Sequence, residues 1–248
     1  LDLMVLNNLN FQNVDRKKFP VVNILKKIPK SSTLFETLIV SANDELVELF
    51  LKKKIQFVDI YKKLSKLISL NEFSKYIKTQ LVITDGLNIT EDNDAYLIDI
   101  KKEQTKAKAG ELRKLPLFIG EKEGKTYYVA PIRGKGLWDA VWAYVAMDEN
   151  MIVQGAYFDH QAETAGLGAN IKQRFFMDDF IGEHLLDKNG VFKGITVSKS
   201  NADPTNKIKD DNEVDAIAGA TITGDGVSAM IKKDLKLYQP YFENLKTN

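Results

Sequence analysis

The chain has 248 residues, 44% of them hydrophobic and 28% charged, with a formal net charge of +1. That length holds one large domain or two small ones, and the near-neutral charge leaves no broad electrostatic footprint for nucleic acid or an anionic membrane surface. No cysteine is present, which excludes disulfides, thiolate nucleophiles, iron–sulfur clusters and Cys-based zinc sites together. No apolar run approaches the roughly 20 residues that span a bilayer, and no signal peptide is visible.

Taken in chain order, residues 1–80 read as mainly helical with Lys-rich exposed faces, packed on the rest of the molecule. Thr33 and Glu36 fit a capping box. Leu46, Val47, Leu49 and Phe50 follow Asn43 and Asp44 as an apolar stripe at helical spacing, and Leu64, Leu67 and Ile68 continue it after a break. Such a region serves either as helices covering a sheet or as a partner surface, and the first is the plainer reading. Residues 81–248 form the second part, and the two together are expected to make one compact unit.

From about residue 80 the period changes to that of strands. Leu81–Ile83, Ala95–Ile100, Thr126–Ala130, Val141–Ala146, Ile152–Phe158 and Ile195–Val197 are short, β-branched or aromatic, and bounded by turn residues. Glu123-Gly124 and Asp148–Asn150 are expected hairpin turns. Residues 200–214 read as a polar loop. A final helix is expected from Gly226 to about Leu245, with Val227, Met230, Ile231 and Leu235 on one face and Asp225 or Gly224 as its N-cap. The fold class is therefore α+β: N-terminal helices, a strongly bent antiparallel sheet and a C-terminal helix.

Three stretches carry candidate chemistry. The first is DAIAGATITGDGV at 215–227. Thr221 and Thr223 lie next to a helix start, where free N–H groups and the dipole favour an anion, phosphate above all. Gly219 and Ala220 remove side-chain bulk there; Asp215 is a metal-holding or hydroxyl-orienting candidate. The plain alternative is a glycine-rich loop closing onto a cap. The second is HQAETAGLG at 160–168, a tight polar turn after a strand. His160 and Glu163 have the spacing of a helical ligand pair, but His184 is the other histidine and there is no HExxH, so a zinc site lacks ligands. A structural role for His160 is the plainer one. The third is PIRGKGLWDAVWAY at 131–144, where Gly134 and Gly136 lead into Leu137-Trp138 and the indole can stack on a planar ring. Trp142 and Tyr144 continue with strand alternation towards the core.

Together, GKGLW, HxxETxGLG and DxxxGAT before a last helix resemble the FMN-binding domain family over about residues 115–240. Within it the pattern is most similar to the C-type subunit of the bacterial Na⁺-translocating NADH:quinone oxidoreductase; the G-type subunit of the related electron-transport complex is the near alternative. The resemblance implies FMN esterified through its phosphate to Thr221 by a separate flavin transferase that uses FAD and Mg²⁺. Asp215, Gly219 and Ala220 match the attachment motif, whereas Ala218 stands where the family has Ser or Thr, and Ala165 where it often has Pro. Glu163, Thr164, Gly166, Leu167 and Gly168 are implied to wrap the flavin or its ribityl chain, Leu137 and Trp138 to pack by its ring, and Lys199 to neutralise the phosphate or polarise the ring. Thr223 belongs to the same loop.

What the resemblance implies is an electron carrier with no catalytic acid–base residue and no bound metal, in which the flavin does the redox chemistry. Its partners would be the other subunits of a membrane respiratory complex. It would face the extracytoplasmic, periplasmic side of the bacterial inner membrane, held by one N-terminal transmembrane helix expected outside this sequence, which starts at Leu1 without an initiator Met. A flavin-free or non-covalent FMN-binding assembly module is the second reading. A self-sufficient NADH oxidoreductase is the third, and it lacks a strand–GxGxxG–helix unit.

Overall fold

The computed structural model describes residues 14–16, 19–25, 33–67, 76–84, 88–200 and 203–247. Contacts divide the chain into two compact units, Leu1–Phe73 and Ser74–Asn248; the sequence pattern suggests a change near residue 80 within one unit.

The described part of the first unit is helical: α1 (Val22–Leu25), α2 (Thr33–Leu51) and α3 (Phe57–Leu67). In α3, Ile60 and Leu64 are buried and Leu67 half-buried, one helical turn apart, while Lys62, Lys63 and Lys66 are exposed. The Asp59 carboxylate accepts the Gln56 N–H (3.0 Å) and closes the first turn. These residues bury a small core of Ile24, Ile39, Leu46, Ile60 and Leu64. α2 starts at Thr33 and runs unbroken through Asn43 and Asp44. The side chains of the Thr33–Glu36 capping pattern, and Ile68, lie outside the described residues.

The second unit is built on a six-stranded sheet of order β2-β1-β3-β4-β5-β6, formed by β1 (Ile77–Thr84), β2 (Asn88–Glu91), β3 (Leu115–Lys122), β4 (Lys125–Lys135), β5 (Ala140–Met147) and β6 (Val153–His160). Every pairing is antiparallel, and with helices at both termini this is the expected α+β class. Register shifts at Ile77/Thr79 and Ala146/Met147 bend the sheet. The β3–β4 turn falls at Glu123-Gly124, both with positive φ (54° and 74°), as a two-residue hairpin requires. At the other expected turn, Asp148 Oδ1 accepts the Asn150 and Ile152 amides (2.9 and 3.0 Å).

Two expectations about strands are corrected. β3 is central although the sequence pattern offers no strand there, because Pro116 interrupts the run. The β3–β4 ladder begins only at Phe118–Val129, so Pro116 and Pro131 sit where the strands diverge and their missing N–H groups break no bond between them. The Tyr238 hydroxyl donates to the freed Pro116 carbonyl (3.0 Å). Residues 95–100 are not a strand. Ala95–Leu97 make a 3₁₀ turn and α4 (Ile100–Lys108) follows, with the Asp99 side chain accepting from Lys102 N–H (3.2 Å) as N-cap. Local bonding by Asp92 to Asp94 N–H (2.9 Å) and by Asp99 competes with a ladder and wins.

A short helix α5 (Arg174–Asp179) follows β6; β7 (Thr196–Val197) pairs in parallel with β8 (Glu213–Val214). The terminal helix is longer and earlier than expected: α6 (Thr221–Asp234), a 3₁₀ segment (Leu235–Tyr238) and α7 (Gln239–Thr247). Val227, Met230, Ile231, Leu235 and Tyr238 bury against Ile132, Val141, Val145 and Phe158 of the sheet in one core. Phe158, Phe176 and Phe180 close its far end with ring centroids 4.8–5.3 Å apart.

Candidate functional site

The site is assembled at the start of α6. The Ala220 N–H donates to the Ile217 carbonyl (3.0 Å). This closes a turn whose third residue, Gly219, has φ +69°, a conformation that glycine adopts without strain. α6 begins at Thr221 and its first helical bond runs from Gly224 N–H to the Ala220 carbonyl (2.9 Å). The expected caps, Gly224 and Asp225, therefore lie inside the helix. The N-cap position is Ala220, which has no side-chain acceptor. Among the described residues, the Thr221, Ile222 and Thr223 amides have no acceptor within the protein. They are the orphan donors of a helix N-terminus, next to the exposed Thr221 side chain.

Why a helix should start on so many small residues is explained by what surrounds it. A Cβ on Gly226 would lie 2.2 Å from the Lys135 carbonyl oxygen, one on Gly224 3.0 Å from the Val197 side chain, and one on Gly219 2.8 Å from Leu167 Cδ2. These glycines let α6 close onto β4, β7 and the 160–168 loop. The room they make is filled by the protein itself.

One carboxylate ties the three sequence motifs together. Glu163 is 7% exposed. Its Oε1 accepts the Trp138 N–H (2.9 Å) and its Oε2 accepts the Thr223 hydroxyl (2.5 Å). Burial alone would raise its pKa. The Thr223 hydroxyl and the Trp138, Asp139 and Leu137 amides outweigh burial and hold it below the ordinary value. Gly136 and Gly168 are required around it: a Cβ on either would stand 2.5 Å from a Glu163 oxygen. Glu163 thus faces inward and positions the loop before β5 against the first turn of α6. Two further glycines belong to the site in this sense. From sequence Gly136 reads only as part of a turn before Trp138, and Gly226 only as the start of the last helix; the close GxG spacings were the available signal.

Around this clamp lies exposed apolar surface. Trp138 is 65% exposed, Leu137 43%, Leu167 41% and Ile222 58%, and the Trp138 indole N–H donates to Thr164 Oγ1 (3.1 Å). Gly166 has φ +78°, and its carbonyl accepts from Asn170 (3.0 Å), fixing the turn. His160 has a structural role: its Nδ1 accepts the Glu163 N–H (3.1 Å), and burial holds its pKa below the usual value despite Asp159 and Glu163. Lys199 approaches Asp225 (3.6 Å), one turn along α6 from Thr221 and on the same face. Asp215 sits apart from the clamp. Its N–H donates to Asp179 Oδ2 (2.8 Å), and with Asp203, Asp211 and Glu213 it lines a cavity of about 110 Å³. Burial, then Asp179, Asp203 and Glu213, push its pKa up. Among the described residues, no group of three His, Asp or Glu is arranged to hold a metal ion.

Free helix-end amides, an exposed hydroxyl, a nearby lysine and a rim of exposed Leu, Trp and Ile fit a group with a phosphate at one end and a flat apolar ring at the other. The family described as FMN-binding domain matches residues 136–236, which include this surface. The chain is similar to the C-type subunit of Na(+)-translocating NADH-quinone reductase. With that of Yersinia pestis it is 40% identical over 101 residues, 40% of this chain and 36% of that protein. With that of Vibrio anguillarum it is 29% identical over 200 residues, 71% and 76% of the two. The crystal structure of the same reductase component from Parabacteroides distasonis superposes with a TM-score of 0.59 at 26% identity, covering 85% of this chain and 97% of that one. Shewanella oneidensis NqrC shares the fold, with TM-score 0.59 at 23% identity, over 84% and 100% of the chains.

The N-terminal part is similar to a different protein. Residues 1–93 match the DXP reductoisomerase C-terminal domain. Over 76 residues the chain is 49% identical to 1-deoxy-D-xylulose 5-phosphate reductoisomerase of Pelagibacter ubique, 31% of this chain and 20% of that enzyme. The helices that the sequence pattern alone attaches to the flavin domain thus have a relative of their own, and the chain spans well under two thirds of either of these first relatives.

Proposed function

We propose that the second unit is a flavin-carrying electron-transfer domain, with FMN esterified through its phosphate to Thr221, acting as the C-type subunit of an NADH:quinone oxidoreductase that translocates Na⁺. The observation that carries this reading is the start of α6: an exposed threonine at the first helical position, beside amides with no acceptor of their own. When bound, the flavin supplies the redox chemistry. The chain's own residues do the rest. The Thr221, Ile222 and Thr223 amides receive the phosphate oxygens and Lys199 offsets their charge. Leu137, Trp138 and Leu167 cover the ring. Thr164 orients Trp138, Gly166 and Gly168 shape the loop, and Glu163, through Thr223, holds loop and helix at a fixed separation. Ala220 and Gly219 set the turn that presents Thr221; Asp215 anchors the segment before it.

The wider setting follows the same reading: partner subunits of a membrane complex, a flavin transferase for maturation, and attachment on the periplasmic face of the inner membrane through a helix outside this sequence. Among the described residues, no helix is long and apolar enough to cross a membrane. The decisive experiment is coexpression with a flavin transferase, followed by intact mass and a visible spectrum after denaturation. Yellow colour that stays with the polypeptide and disappears in Thr221→Ala is expected. Colour that survives this substitution, or no added FMN phosphoester mass on the parent chain, rejects esterification at Thr221. Ala218, exposed in the turn before Gly219, favours one alternative, a non-covalent FMN module; in that case flavin is released on denaturation.

A further inference from the structure

Beside the flavin surface lies a second concavity, of about 690 Å³, within the range of small-molecule sites. Its walls are two helix faces. α4 contributes Lys101, Gln104 and Lys108, and α6 contributes Gly226, Ala229 and Lys233, each set at i, i+3, i+7. Its base is the end of β4, Arg133 to Lys135, and Trp138 stands at its edge. The base is braced from beneath. The Gln104 amide donates to the Arg133 carbonyl (2.6 Å) and to Asp234 Oδ2 (2.9 Å). Arg113 donates twice to the same carboxylate (3.0 and 3.2 Å), which is 1% exposed. Asp234 is therefore neutralised by Arg113 and does not offset the cations above it.

Those cations are unusual for this chain. Lys101, Lys108, Arg133, Lys135 and Lys233 line one groove with a single carboxylate, Asp139, in a protein whose net charge is +1. Among the described residues, none of the five has an ion-pair partner. The Asp139 Oδ1 already accepts the Ala140 N–H (2.7 Å). A cleft lined by one sign of charge focuses potential on a ligand of the other sign. Gly134, Ala140, Gly226 and Ala229 leave its walls low, and the indole offers a flat apolar face. We infer that this groove binds a nucleoside diphosphate-class anion, with its phosphates over the lysines and its base against Trp138. The inference shares Trp138, Asp139 and Gly226 with the flavin reading and does not require that Thr221 be modified.

The test is calorimetric titration of the full Thr221→Ala chain, which carries no esterified flavin, with ADP, adenosine and pyrophosphate. ADP should bind and adenosine should bind at least about tenfold more weakly. The pair Lys135→Glu/Lys233→Glu, both exposed positions, should weaken ADP by a similar factor without changing the unfolding temperature. Trp138→Ala should weaken ADP more than pyrophosphate. No ADP binding at millimolar concentration overturns the proposal, as does equal binding to the charge-reversed chain. Tighter binding of an acidic peptide than of ADP also overturns it and makes the groove a protein-docking surface. Failure here with flavin still attaching to Thr221 in the parent chain removes the groove and leaves the flavin reading intact.

Discussion

Two buried glutamates show how the same residue type is set to opposite states by its donors. Glu163 receives a hydroxyl and backbone amides and is held charged. Glu183 is fully buried with Lys209 at 3.3 Å. Burial pushes its carboxyl up to about 7, and Lys209 and Asn206 offset only part of that. Its folded pKa thus lies above its unfolded value, so folding binds a proton between about pH 4.5 and 7 and stability falls as pH rises through that window. Relative to Glu183→Gln, the parent should lose about 1–3 kcal/mol between pH 5 and pH 8. Denaturant unfolding at the two pH values checks this; a pH-independent difference between the two proteins rejects it. Glu163 was legible as a candidate because it lies in the HxxETxGLG motif. Its inward orientation was not, since Thr223 and Trp138 lie 60 and 25 residues away in sequence.

At the scale of elements, the placement of α6 on β4 sets the site, and Gly226 is its tightest contact. Gly226→Ala should destabilise the protein by about 1–3 kcal/mol, because backbone rather than a flexible side chain must yield. Gly155→Ala, where nothing lies within 4 Å of the added carbon, is the control and should change little in a chemical-denaturation midpoint. Equal effects would show that α6 can shift without cost. Strands β4, β5 and β6 were legible because each contains a short run rich in β-branched and aromatic residues, bounded by turn residues. β3 was not, because Pro116 counts against a central strand unless the divergence from β4 is known. The start of α6 was misplaced for a related reason. Gly224 and Gly226 are poor helix formers, and only packing against Val197 and Lys135 explains their presence there.

For the whole molecule, each unit has its own buried cluster among the described residues: five in the first unit, and in the second a core that runs from Ile83 to Phe242. Separate cores unfold separately unless joined by a large interface. Differential scanning calorimetry of the full chain should therefore show two transitions, the smaller core melting at the lower temperature, with the second matching that of residues 74–248 alone. A single transition that truncation shifts would show the units to be thermodynamically coupled. The division also explains a limit of what sequence pattern can convey. An amphipathic, lysine-rich helix pattern is common to many folds, so residues 1–73 carried nothing that separated them from the second unit. Similarity to known proteins did so.

The missing N-cap of α6 has a thermodynamic consequence. A capping side chain contributes about 1 kcal/mol to a helix, and Ala220 gives none. A phosphate bonded to Thr221 would satisfy those amides without the entropy loss of binding a free ion, so attachment of the cofactor and consolidation of the fold become one event. Mature chains should then melt at a higher temperature and resist proteolysis longer than unmodified ones, a difference measurable by comparing the two forms. Maturation would in this way carry its own quality check, with the unloaded protein the more readily cleared.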